Sequence, residues 1–232
     1  MAGGQGDPGP AGDITTDLAR LRARIAATGR DPAEVTVVAV TKGQPAAVAR
    51  AAVEAGLADL GESYAQELVP KAEALLDDPP AGPPARWHFI GRLQRNKVRQ
   101  VAPFVGLWQS IDRLSLAAEV ARRAPGAEVL VQVNATGEEA KGGCRPELVG
   151  PVVEGCRDLG LVVRGLMAVG PTGPPEQARP AFRAVRELAD RLDLDVRSMG
   201  MSGDLEVALD EGATMVRIGT ALVGRRPGHH PK

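Results

Sequence analysis

Lys42 closes the run "VTVVAVTKGQP" (residues 35–45), in which Gly43 and Pro45 end an otherwise apolar stretch. Unbroken β-branched residues predict a strand buried on both faces, so the amine stands at that strand's C-terminal lip. An amine in such a place condenses with a carbonyl once desolvation beside another cation lowers its pKa. Two further stretches, "SMGMSGDLE" (198–206) and "RIGTALVG" (217–224), each set a glycine-containing turn before a helical pattern. Glycine lets backbone N–H groups come close to an anion, and Ser202 and Thr220 add hydroxyl donors. The two parts together call for a ligand that carries both an aldehyde and a phosphate.

The elements that must position these residues alternate along the chain. An amphipathic helix with Leu18, Leu21 and Ile25 on one face precedes the lysine strand, and Gly29 stops it. After the lysine come helix "QPAAVARAAVEAGL", strand "ADLGES", helix "YAQELVPKAEALLDD", strand "WHFIG", helix "LQRNKVRQVAPF", strand "LWQSI" and helix "RLSLAAEVARRAPG". Strand "EVLVQVN" leads through the polar loop "ATGEEAKGGCR" to helix "PELVGPVVEGCRDLG", which starts on a proline. Strand "LVVRGLMAV", loop "PTGPPEQ", helix "ARPAFRAVRELADRL" and strand "VRSMGM" follow, then the short helix "GDLEVALDEG" and strand "TMVRIG".

Eight strands alternating with helices predict a single parallel (β/α)8 barrel, with an open doubly wound sheet as the alternative. No long helix follows the eighth strand, so the helix at 18–27 is expected to cover that gap. The domain boundaries read as a disordered Gly/Pro-rich tail over 1–13, the barrel over 14–228 and a polar end over 229–232. In a closed barrel the first strand lies beside the eighth, which turns the lysine and the two glycine turns toward one cavity. Position at strand ends also directs attention to Glu62, His88 and Arg217. Pyridoxal 5′-phosphate (PLP) has the required aldehyde and phosphate, and so has the substrate of a sugar-phosphate aldolase.

Composition narrows the function classes. The 232-residue chain is 44% hydrophobic and 25% charged with a formal charge of −1, the balance of a soluble packed domain without a long-range field for nucleic acid or acidic membrane. The basic run "GRLQRNKVRQ" reads as a solvated helix face. Cys144 and Cys156 have no metal-ligand spacing and read as idle thiols. The N-terminus lacks the features of a secretory signal and no apolar segment is long enough to span a bilayer, which predicts a cytoplasmic protein.

The blocks "AVTK", "GESYAQE", "WHFIGRLQRNK", "GLMAV", "SMGMSGDLEVAL" and "VRIGTALVGRRP", in this order between residues 17 and 227, resemble the pyridoxal-phosphate homeostasis protein family. That resemblance implies a barrel like the N-terminal domain of alanine racemase (fold type III), with PLP held as an internal aldimine on Lys42. It implies a phosphate cradle at Ser202, Gly219 and Thr220, with Met201 in the same turn, Arg217 against the pyridine nitrogen, and His88 near the cofactor. Ser63 stands where the family usually shows asparagine; shorter and without the amide, it is expected beside the cofactor but without a direct hydrogen bond to it. The resemblance further implies a monomeric carrier that balances PLP supply, with PLP-dependent apoenzymes as partners. An amino-acid racemase is the alternative, which needs a second base, and the only tyrosine, Tyr64, follows the second strand.

Overall fold

The computed structural model describes residues 13–224; of the expected tail only Asp13 falls within that range, and positions 225–232 lie outside the described residues. Eight strands form a closed barrel in which every neighbouring pair is parallel, β1 (Thr36–Val40), β2 (Asp59–Glu62), β3 (Arg86–Phe89), β4 (Val105–Ile111), β5 (Glu128–Val133), β6 (Val162–Ala168), β7 (Val196–Ser198) and β8 (Met215–Ile218). Pairing of β1 with β8, from Thr36↔Met215 to Ala39↔Ile218, closes the ring and rules out the open sheet.

Alternation along the strands divides the core in two. Val38, Leu107, Leu130, Met167 and Met215 pack inside the barrel, while Ala39, Leu60, Trp87, Trp108, Val131, Leu166 and Val216 belong to the larger cluster under the helices. A period of two on every strand is what sends one set inward and the other outward. The outer layer is built from α2 (Ala46–Glu54), α3 (Ala65–Asp77), α4 (Arg95–Val101), α5 (Leu114–Arg123), α6 (Val149–Asp158), α7 (Arg179–Arg191) and α8 (Leu205–Asp210).

The helix that follows β8, α9 (Thr220–Val223), is four residues long, and α1 (Ile14–Ala27) packs against both α9 and α8. Its buried stripe of Ile14, Leu18, Leu21 and Ile25 covers the flank that α9 leaves open, as the spacing predicted. Asp13 caps it, accepting hydrogen bonds from the Thr15 amide at 3.1 Å and the Thr16 hydroxyl at 2.6 Å. Cys144 and Cys156 are free and buried, and burial pushes both thiols up to about 11, which keeps them protonated and inert. Among the described residues no helix is long and apolar enough to cross a membrane.

Candidate functional site

A cavity of about 360 Å3 opens where β1, β7 and β8 end, and its wall includes Lys42, Ser63, Met201, Ser202, Arg217, Gly219 and Thr220. The structure thus brings together seven of the eight residues expected from the sequence. Arg217 lies on β8 itself and the others come from the turns after β1, β2, β7 and β8, as a barrel's C-terminal face requires.

Lys42 is held from both sides through its neighbours. The Thr41 hydroxyl donates to Glu62 Oε1 at 2.6 Å, and Lys71 Nζ in α3 donates to the Thr41 carbonyl at 2.8 Å and to Glu62 Oε1 at 2.6 Å. On the other side the Gly43 amide donates to Glu67 Oε2 at 2.5 Å, and Lys71 reaches that same oxygen at 3.3 Å. One buried ion-pair cluster therefore grips the backbone immediately before and after the half-buried lysine. Burial raises the Glu62 carboxyl pKa despite the opposing Lys71 and Thr41 bonds, and its Oε2 has no hydrogen-bond partner among the described residues.

Arg217 is buried, with its head group anchored by neutral oxygens. Nη1 donates to the Ser198 carbonyl at 2.7 Å and the Ser198 hydroxyl at 2.8 Å, and Nη2 donates to the Ala168 carbonyl at 2.7 Å. Desolvation pushes its pKa down to about 10, with Asp204 opposing, so the guanidinium stays charged at neutral pH and acts only as a donor. Beside it, the turn after β7 is fixed by the Met201 amide, which donates to Asp204 Oδ1 at 2.6 Å, and by Arg24 of α1, which donates to the Ser202 carbonyl at 3.2 Å. Ser202 and Gly203 line the cavity in the turn before α8, and Gly219 and Thr220 line it where α9 begins. Gln44 closes the same corner, donating to the Val223 and Gly224 carbonyls at 3.2 and 3.1 Å.

Two residues expected at the mouth lie elsewhere. His88 is fully buried and does not line the cavity; Ile90, two positions further along the same face, occupies that place. The imidazole sits one layer deeper, 2.8 Å from Asp59 Oδ1 and 2.6 Å from the Gln109 amide nitrogen. Glu62 alternates with Gly61 and Ser63 on β2 and its turn, so its side chain leaves the barrel toward α3, where Lys71 takes it. Neither the buried Lys71 nor the Gln109–Ser198 pair was singled out in the sequence. The only advance signal was the Glu67–Lys71 spacing of four on a predicted helix, which usually marks a solvated pair.

Residues 16–227 match the family model of the alanine racemase N-terminal domain. The pyridoxal phosphate homeostasis protein of Pseudomonas aeruginosa is 45% identical over 222 residues, which cover 92% of this chain and 94% of that protein. The chain belongs to the pyridoxal phosphate homeostasis protein family. Another member of this family, from Aquifex aeolicus, is 42% identical with 90% of this chain and 95% of the relative covered. PipY of Synechococcus elongatus, solved with PLP bound, superposes on the homeostasis-protein barrel with a TM-score of 0.78 at 31% identity, covering 91% of this chain and 100% of PipY. Alanine racemase of Clostridium difficile gives a TM-score of 0.72 at 15% identity, covering 95% of this chain but 57% of the racemase, a likeness of fold alone.

Proposed function

We propose that this protein binds pyridoxal 5′-phosphate reversibly at Lys42 and serves the cell's handling of that cofactor without turning over a substrate of its own. The observation that carries this reading is the convergence of one amine, one buried guanidinium and two hydroxyl-bearing turns on a single cavity. When bound, PLP supplies an aldehyde, a phosphate dianion and a pyridine nitrogen. Lys42 offers the amine, while Ser202, Thr220 and the backbone of Gly203 and Gly219 offer donors to the phosphate. Arg217 can only donate, which suits a ring nitrogen kept unprotonated, and a ring so held is a poor electron sink. Ser63 and Met201 flank the ligand on this reading, and His88 acts on Arg217 from below rather than on the ligand.

The cavity wall also speaks for a carrier over a racemase. Stereochemical inversion by two bases needs a second proton-transfer group facing the first, and among the residues lining this cavity the titratable side chains are Lys42 and Arg217 alone. Tyr64 lines the neighbouring cavity instead. On this reading the protein works as a monomer in the cytoplasm, and an open mouth leaves the cofactor accessible to PLP-dependent apoenzymes.

Absorbance of freshly purified protein before and after borohydride, followed by mass mapping, tests the assignment. A visible band that bleaches, with the modification on Lys42, is the expected result. A colourless protein, or an adduct mapped to another residue, defeats it; sustained racemisation of L-alanine by the loaded protein defeats the carrier role.

A further inference from the structure

A larger cavity, about 650 Å3, opens beside the first and shares Ser63 with it. The shared wall is firmly set, because a Cβ at Gly91 would lie 2.1 Å from the Ser63 carbonyl oxygen, so the end of β3 and the turn after β2 can approach this closely only with glycine. Around this second cavity stand Arg92, Lys97 and Arg113 against a single carboxylate, Asp112, and Gln66 and Gln94 also line it. Arg113 is already committed, donating to Asp112 and, at 3.2 Å, to the Leu93 carbonyl. The Arg92 and Lys97 side chains have no hydrogen-bond or ion-pair partner among the described residues.

The basic run "GRLQRNKVRQ" therefore divides. Arg95 and Arg99 stand off the cavity, as a solvated face should, while Arg92, itself exposed, and the half-buried Lys97 line it. A guanidinium fork, an ammonium and two primary amides on one concave wall match an acceptor-only dianion with several oxygens. The space is several times that needed for the anion alone, which favours an organic ester.

We propose that this cavity is a second, noncovalent site for a phosphate monoester, held by Arg92 and Lys97 and adjoining the Lys42 site across Ser63. A phosphorylated B6 vitamer is the ester the neighbouring site selects, and in that identity the assignment rests on the functional reading above; inorganic phosphate is the other source of the same chemistry. Such a site stages an incoming or departing ester beside Lys42 while the first cavity is full.

The test uses full-length protein loaded with PLP and fixed by borohydride, so that the Lys42 site is blocked. Titration with pyridoxine 5′-phosphate, which has no aldehyde, is followed by calorimetry and phosphorus NMR. One further equivalent is expected to bind, at least tenfold more weakly to Arg92→Ser/Lys97→Met, whose visible band before reduction and circular dichroism stay those of the parent. No saturable binding, or binding indifferent to the double variant, overturns the site. Inorganic phosphate binding as tightly as the ester overturns the vitamer identity. If borohydride leaves no adduct on Lys42, the cofactor reading fails by itself. The same titration of untreated parent and double variant then decides the Arg92–Lys97 site, with retained sensitivity to the variant supporting it and indifference overturning it.

Discussion

Arg217 shows what a single buried cation needs. Three of its N–H groups go to two main-chain carbonyls and one hydroxyl, so the charge is held with no carboxylate hydrogen-bonded to it. Arg217→Lys keeps the charge but replaces a planar fork by one point, which cannot span the carbonyls of Ser198 and Ala168 together. At least one buried oxygen then loses its partner, at about 1–3 kcal/mol. Urea denaturation is expected to show a loss of that size for Arg217→Lys and a greater one for Arg217→Met; unchanged midpoints would mean that these oxygens find other donors. Position at a strand end was enough to pick out Arg217 and Lys42 in the sequence. The same rule misplaced His88 and Glu62, because it does not say at which depth or on which face a residue stands. Strands in a barrel tilt and stagger, and on β3 it is Ile90, beyond the strand's last residue, that reaches the mouth.

At the level of elements, the turn between β7 and α8 carries the tightest requirement. Gly200 has φ +95°, and a Cβ there would meet the Ala208 Cβ at 2.5 Å. Gly200→Ala combines a left-handed alanine, costing about 1–2 kcal/mol, with an overpacked helix contact, costing about 1–3 kcal/mol. The expected result is a large drop in unfolding free energy together with weaker binding at the proposed phosphate cradle, since Met201 and Ser202 follow directly; a variant as stable as the parent would mean that α8 shifts freely on the barrel. The βα rhythm made all eight strands legible, because buried parallel strands read as apolar runs between amphipathic helices. Ends were less legible. "VRSMGM" reads as one strand, yet β7 stops at Ser198 and the chain turns at Gly200. "PELVG" and "PTGPPEQ" hide 3-10 turns at Pro146–Leu148 and Pro175–Ala178, where prolines set the backbone angle but leave the hydrogen-bond pattern to tertiary packing.

Across the whole molecule, the barrel interior is threaded by one line of hydrogen bonds from the Lys42 cavity toward the opposite end. Arg217 donates to the Ser198 hydroxyl, Ser198 donates to Gln109 Oε1 at 2.7 Å, the Gln109 amide donates to His88 Nδ1 at 2.6 Å, and His88 Nε2 donates to Asp59 at 2.8 Å. Every link points the same way, so each polarises the next, and the order requires a neutral imidazole protonated on Nε2. Burial lowers the His88 pKa below its ordinary 6.5, with the Asp59 bond opposing, which keeps it in that form. Below the ordinary histidine value the unfolded chain takes up a proton that the folded chain refuses, so this contribution to stability is full above 6.5 and is lost as pH falls. The slope it adds is at most about 1.4 kcal/mol per pH unit. Glu62, raised by burial, acts in the opposite sense, because the folded chain protonates it first as pH falls. Comparing the parent with His88→Gln isolates the imidazole from such carboxylates. Urea midpoints at about pH 7.5 and about pH 5.5 are expected to differ more in the parent than in the variant. Equal differences would mean that His88 carries a proton in the folded chain, and the one-way order of the line from Arg217 to Asp59 would be wrong.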